Sequence, residues 1–209
     1  ESSSLGDHPW GLASYLDMLG RNAFGNYRQL LEDVALHPAM GLYLSHLGNE
    51  KEDAATGRTP DENFAREVLQ LFSIGLHQLN PDGTAKRDGN GARIPTYDLD
   101  TVMGMAKVFT GWSWGGPDKS DNRFRGWRNE DTNQNHWRTP MQAYPKFHST
   151  AAKEVLNDVI IPAGGTAELG APRALGDVDE VGEGDAAVLV EHLDQQVGVV
   201  LQLELCDGV

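Results

Sequence analysis

Cysteine occurs once, as Cys206. An internal disulfide and a thiolate metal cage are therefore excluded, while the compartment stays open because exported bacterial proteins also do without disulfides. No apolar run approaches the ~18 residues of a membrane span, and no signal peptide is visible, so export cannot be read from these residues. Basic residues are scarce, 17 Lys and Arg against 31 Asp and Glu, for a net charge of −14. That balance argues against nucleic acid as a partner, since polyanions are held chiefly by Lys and Arg. The seven histidines form no HExxH and no HxxxH pair, so no metal ligand spacing is present. A calcium loop is also absent. Asp82, Asp88 and Asn90 lack the DxDxDG spacing and the closing glutamate, and turn chemistry accounts for them.

What is present is a helical pattern over 209 residues with 39% hydrophobic content, adequate for a buried core in one or two domains. The first residues, Glu1-Ser-Ser-Ser, lack a methionine and are read as the start of a fragment or processed product. The clearest segment runs from Thr59 to His77. Thr59, Pro60 and Glu62 read as a capping box with proline at the first helical position. A helical turn of 100° per residue puts Phe64, Ala65, Val68, Leu69, Leu71, Phe72, Gly75 and Leu76 on one face. Glu62, Asn63, Arg66, Glu67, Gln70, Ser73 and His77 fall on the other.

Before this segment, Leu12, Tyr15, Leu16 and Leu19 carry helical spacing that stops at Gly20. A helix from Asn26 to Leu36 turns Tyr27, Leu30, Leu31 and Val34 inward and ends at His37-Pro38. A third runs from Ala39 to Leu47 and closes at Gly48. His37 is expected to interact with helix-end carbonyls. After His77, the turn signals at 80–83 and 88–91 predict a small β-hairpin or structured loop. A fifth helix follows, with Thr96 as cap and Leu99, Val102, Met103, Ala106 and Phe109 on one face. The fold class expected is mainly α, an irregular helical array with a small β-hairpin insertion and a long aromatic-rich loop.

That loop, residues 111–150, has no clear period and is crowded with Trp112, Trp114, Phe124, Trp127, Trp137, Tyr144 and Phe147. Arg123, Arg125, Arg128 and Arg138 are interleaved. Six bases against four acids give residues 118–146 a local balance of +2. Aromatic faces and arginine forks of this kind suit an anionic saccharide, and serve equally as core anchors or as a protein interface. Gly111-Trp112-Ser113-Trp114-Gly115 matches the nucleophile-elbow pattern formally. The elbow needs a strand before its serine and a helix after it; here a helix precedes and Gly116-Pro117 follows, so Ser113 is not read as a nucleophile.

The segments LHPAMGLYLSHLGN (36–49), DENFAREVLQLFSIG (61–75), IPTYD (94–98), VFTGW (108–112) and MQAYPKFH (141–148) resemble the bacterial domain-of-unknown-function 1800 family. The resemblance covers residues 8–167 and makes 1–167 a partial helical domain from inside a longer protein. It implies a large, mostly helical, exported protein, often encoded beside a second family with sulfatase-like relatives. It names no activity and no cofactor. Arg66, one turn after Glu62 and next to Glu67, reads first as half of a helix-surface ion pair; its place in the family signature gives the alternative, Arg66 and Glu67 buried among neighbouring helices and holding loop carbonyls or a ligand. If the protein catalyses, Glu67 is the candidate acid or base, with His77 or His148 as second player. Glu62, Asn63, Arg66, Trp112, Arg125, Trp127 and His148 are the candidates for ligand binding or for a structural network.

From 168 to 209 the resemblance is lost. Ten acids face one base, Arg173, which places −9 of the charge in this tail and leaves −5 for residues 1–167. The Gly, Ala, Val, Asp and Glu bias reads as translation out of frame after a frameshift or a mispredicted gene end. A real, acidic, poorly ordered tail, with VGVVLQLEL as a strand, is the alternative. Two functions follow: an envelope-associated binding or scaffold protein with a hydrolase-like partner encoded nearby, or an enzyme acting on a saccharide through Arg66, Glu67 and His77.

Overall fold

A computed structural model of the chain describes residues 3–126, 134–156 and 159–164. Helices supply most of its regular structure, and the strands are two short antiparallel pairs. The elements are α1 (Ser3–Gly6), α2 (Pro9–Asn22), α3 (Tyr27–Leu36), α4 (Pro38–Tyr43), α5 (Asn63–Gln70) and α6 (Leu99–Val108), then β1 (Trp112–Ser113), α7 (Asp121–Arg125), β2 (Gln142–Ala143), β3 (Lys153–Val155) and β4 (Val159–Ile161). The expected acidic tail lies outside the described residues, apart from its approach at 159–164.

The central helix is shorter than its periodicity suggests. It starts at Asn63 rather than Pro60, because the chain before it is held elsewhere. The Asn49 side chain clamps the Asp61 backbone, donating to its carbonyl at 3.0 Å and accepting its amide at 2.9 Å. The Asp61 carboxylate then accepts the Asn63 amide at 2.9 Å, taking the part assigned to Thr59. At the other end the Ser73 hydroxyl donates to the Val68 carbonyl, and Gly75, at φ 72°, turns its amide back to Leu69. Phe64, Ala65, Val68 and Leu69 are buried as the period requires. Leu71, beyond the last turn, is 69% exposed, a correction to the expected face, and Leu76 is exposed as well.

Around α5 the main core gathers Leu31 and Leu44 from the N-terminal helices, Val102, Met105 and Val108 from α6, and Val155 and Leu156 from the β3–β4 hairpin. The hairpin is antiparallel, pairing Lys153 with Ile161 and Val155 with Val159, and periodicity did not announce it. Its access to α6 depends on Gly104. A Cβ built there would stand 1.7 Å from the Glu154 carbonyl oxygen. With the hairpin on one side and α5 on another, α6 is buried nearly all round. Its cap is Asp98, whose carboxylate accepts the Thr101 amide at 2.9 Å; Thr96, the expected cap, donates its hydroxyl to the Gly75 carbonyl. Leu99, assigned to the inner face, is exposed.

Helix α2 also docks by a different face from the one its leucines mark. Gly11 and Met18 are buried, and Leu12 and Leu16 are exposed. Gly11 decides this, because its bare Cα admits the Trp137 ring to a position 2.6 Å from where a Cβ would be. Asn26 caps α3, accepting the Arg28 amide at 2.8 Å. Helix α4 ends at Tyr43, four residues short of Leu47, where Ser45 takes a left-handed φ of 66°.

Residues 76–96 form the structured insertion that the turn signals predict, with antiparallel bridges joining Leu79 to Ala85 and Arg87 to Arg93. The Gln78 amide donates to Ile94 at 3.0 Å, the Ile94 amide to Lys86 at 3.1 Å, and the Lys86 amide to Gln78 at 2.8 Å. Each of three extended segments is thus bonded to both others in a closed ring. The turns repeat too: Asn80 donates to Thr84, Asp88 to Ala92, and Thr96 closes the circuit on Leu76. Gly75, Gly83 and Gly91 stand eight residues apart with φ of 72°, 78° and 82°. Only glycine takes that conformation without strain, so the eight-residue glycine spacing is the sequence signature of the ring.

The described residues of the 111–150 stretch are not structureless. β1 pairs with β2, Trp112 opposite Ala143. Trp114 and Trp137 meet edge to face at 5.1 Å in a second core with Leu5 and Ala39. Phe124 and Phe147 stack at 3.8 Å beside Tyr144 in a third. Aromatic area buried in small separate clusters replaces the helical periodicity that is missing.

Candidate functional site

The signature face of α5 lies at the surface. Arg66 pairs with Glu62 one turn earlier, and both side chains are about two-fifths exposed, 39% and 40%. Arg66 thus forms the helix-surface ion pair of its first reading, worth a few tenths of a kcal/mol, and its alternative burial among neighbouring helices is not what the structure has. Asn63 is exposed and contributes through its backbone amide. Glu67 is different. One carboxylate oxygen, Oε2, is buried with no hydrogen-bond partner, and so is the hydroxyl of Tyr97. Burial holds the Tyr97 phenol above its ordinary range, the Arg66 charge pulls it back and the Glu67 carboxylate raises it, so the three share one electrostatic neighbourhood. Tyr97 belongs to the IPTYD segment, and no motif logic marks a tyrosine one residue before a helix cap.

The other candidates are held by contacts of their own. His77 sits in the ring of turns, bridged to Pro95. His148 is buried in a second polar centre, built on Thr110-Gly111-Trp112. Its Nδ1 lies 2.8 Å from the Thr110 carbonyl, so that nitrogen carries the proton and donates. The Thr110 hydroxyl donates to Lys107 at 2.6 Å and accepts the Ser149 amide at 2.8 Å. Gly111, at φ 78°, donates to the Asn49 carbonyl and accepts from Tyr144; a Cβ there would strike the His148 backbone at 2.8 Å. Trp112, half-buried, accepts the Gly48 amide. Ser149 donates to Glu52, whose second oxygen is buried without a partner. The junction thus ties residues 48–52, 110–112 and 144–149 into one knot.

The aromatic and arginine segment is largely spent on the fold. Trp114 and Trp137 are buried, so neither offers a face for a sugar ring. Arg125 pairs with Glu50 at 2.9 Å and lies over the Phe147 ring at 4.8 Å. Arg58 takes the other oxygen of Glu50 at 3.0 Å. Arg123 donates to the Gly115 carbonyl at 2.8 Å. Trp127 lies outside the described residues. Ser113 is buried and spends its hydroxyl on the Phe124 carbonyl, donating at 2.7 Å.

Two histidines of the 36–49 segment, His37 and His46, are buried and neutral. His46 donates from Nε2 to the Ala35 carbonyl at 2.8 Å and stacks on Phe64 at 3.7 Å, with Nδ1 unpartnered. Desolvation brings its pKa down to about 4. His37 caps α4, its Nδ1 accepting the Ala39 amide at 3.2 Å, so it meets an amide rather than the expected carbonyls. Burial first, then the Arg21 charge, lower its pKa to about 4. Among the described residues, no group of three or more His, Cys, Asp or Glu could hold a metal ion. No helix there is long and apolar enough to cross a membrane.

No curated protein and no solved structure matches the chain. The family described as "Protein of unknown function (DUF1800)" matches residues 2–181, which includes the first part of the acidic stretch beyond 167. The segments that gave the resemblance, from the α4 turn through the Asn63–Glu67 helix to the Thr110–Trp112 junction, all lie inside that match, and the chain belongs to the domain-of-unknown-function 1800 family.

Proposed function

We propose that this chain is a binding or scaffold part of an exported, envelope-associated protein that works with a hydrolase-like partner encoded beside it. The observation that carries the reading is the Thr110-Gly111-Trp112 junction, where the Gly111 amide donates to the Asn49 carbonyl, the Tyr144 amide to the Gly111 carbonyl, the Gly48 amide to the Trp112 carbonyl and the Ser149 amide to the Thr110 hydroxyl. Groups committed in this way fix loop positions and present a surface. Export and the partner come from the family resemblance. The test is affinity capture of the protein from its native host, followed by activity screening of the bound fraction. A hydrolase retained by the wild type and lost from Gly111→Val supports the reading. Hydrolysis by the purified protein alone overturns it.

A second reading rests on Glu67 and Tyr97. A buried carboxylate oxygen and a buried phenol, both unpartnered beside Arg66, are groups of the type that exchange protons with a saccharide hydroxyl. Screening the purified protein on neutral and anionic polysaccharides tests it: turnover that Glu67→Gln abolishes supports the enzyme, and turnover indifferent to that change removes Glu67 from the chemistry.

A further inference from the structure

The outward face of α2 carries an apolar row that nothing in the described chain covers. Leu12, Leu16 and Phe24 are 39%, 66% and 104% exposed. They and Gly20 fall four residues apart, so the row runs down one side of the helix and continues through Ala23, which keeps helical backbone angles of φ −56° and ψ −27°. Isolated exposed leucines need no explanation, but an aligned row ending in a fully exposed phenylalanine does.

The order along the row is large, large, small, large. Set against itself in reverse, it meshes: Leu16 of one copy faces the Gly20 notch of the other, and Leu12 faces Phe24. Gly20 has nothing within 4 Å of the place a Cβ would occupy, so the notch is open. Beside the row, Asp17 and Arg21 are both exposed, and the same reversal sets each near the opposite charge of the other copy. A two-fold axis demands this self-complementarity, residue i on residue j and j on i.

We infer that α2 is an isologous homodimer contact, the occupant of its outward face being α2 of a second copy of this chain, antiparallel and centred level with position 18. One helix pair buries little area, so the association is weak, at about micromolar strength or below.

The register gives a sharp test. In a Cys206→Ser background, Ala13 and Ala23 face one another across the axis, whereas within one chain they stand about 15 Å apart along the helix, too far for a disulfide. Oxidising the full chain carrying Ala13→Cys and Ala23→Cys yields covalent dimer, and Ala13→Cys alone yields little. Sedimentation from about 1 to 300 μM shows a monomer–dimer equilibrium that Leu16→Lys weakens roughly tenfold or more, with the far-UV spectrum and melting temperature unchanged. Monomer at every concentration overturns the inference, as does cross-linking by Ala13→Cys alone that equals the double variant. A dimer that survives Leu16→Lys, or a longer form of the protein that is monomeric with Leu16 protected, overturns it too.

Discussion

Gly104→Ala turns an intrinsic gain into a loss, and the sign tests the central packing of the fold. In an isolated helix the change stabilises by about 1 kcal/mol, because glycine is the poorer helix former. Here the new methyl would lie 1.7 Å from the Glu154 carbonyl oxygen and 2.6 Å from its carbon. Both atoms are backbone, so no side chain can swing away, and β3 must retreat by more than about 1 Å to reach even a tight contact. That retreat lifts Val155 and Leu156, exposed to only 0% and 2%, off the core around Met105. Overpacking costs about 1–3 kcal/mol, and partial exposure of two aliphatic side chains adds a similar amount. Against the propensity gain, a net loss of about 3 kcal/mol is expected, which lowers the melting temperature by about 6–12 °C in a chain of this size. Thermal unfolding by circular dichroism reads the shift, and amide exchange at Val155 reports whether the hairpin is what loosens. A melting temperature equal to or above the wild type would refute the docking of the β3–β4 hairpin on α6.

Acid stability follows from the two buried histidines. Their folded pKa values of about 4 lie below the ordinary 6.5, so the unfolded chain binds more protons, and the stability present above pH 6.5 is lost as pH falls through 4. His46 accounts for about 3 kcal/mol of this, so urea unfolding of His46→Gln should show a clearly shallower loss between pH 6.5 and 4. Thr110→Val removes an acceptor for the Ser149 amide and a donor to Lys107 and should cost about 2 kcal/mol by urea denaturation, with Thr110→Ser restoring most of it. Arg66→Ala should change stability by no more than about 0.5 kcal/mol, since its ion pair is exposed. Glu67→Gln should leave stability equal or raised by about 1 kcal/mol, because the oxygen it neutralises is buried without a partner. A marked loss would reveal a structural partner for that oxygen.

The sequence by itself determined the helices that carry their own signals. Asn26 caps α3, Pro38 opens α4, and Phe64, Ala65, Val68 and Leu69 give α5 a buried face that local spacing alone dictates. Family membership was legible for the same reason, since short motifs survive as text. Tertiary structure decided which face of a two-sided helix is covered. The spacing of Leu12 and Leu16 does not say which face is covered, and Gly11, where Trp137 enters, decides it; periodicity puts Leu71 on the apolar face, but the helix ends at Gln70 and leaves it exposed. Close approach is a property of two segments at once, so the bare Cα of Gly104 meant nothing until β3 lay across it. The candidate site divided the same way. Helical phase placed Glu67 and Arg66 on the polar side of α5, but only folding brought Tyr97 to Glu67, and it drew His148 more than seventy residues from that helix into the Thr110 junction. Contacts between residues far apart in the chain are set by the closure of loops around a shared core, and no local pattern records them.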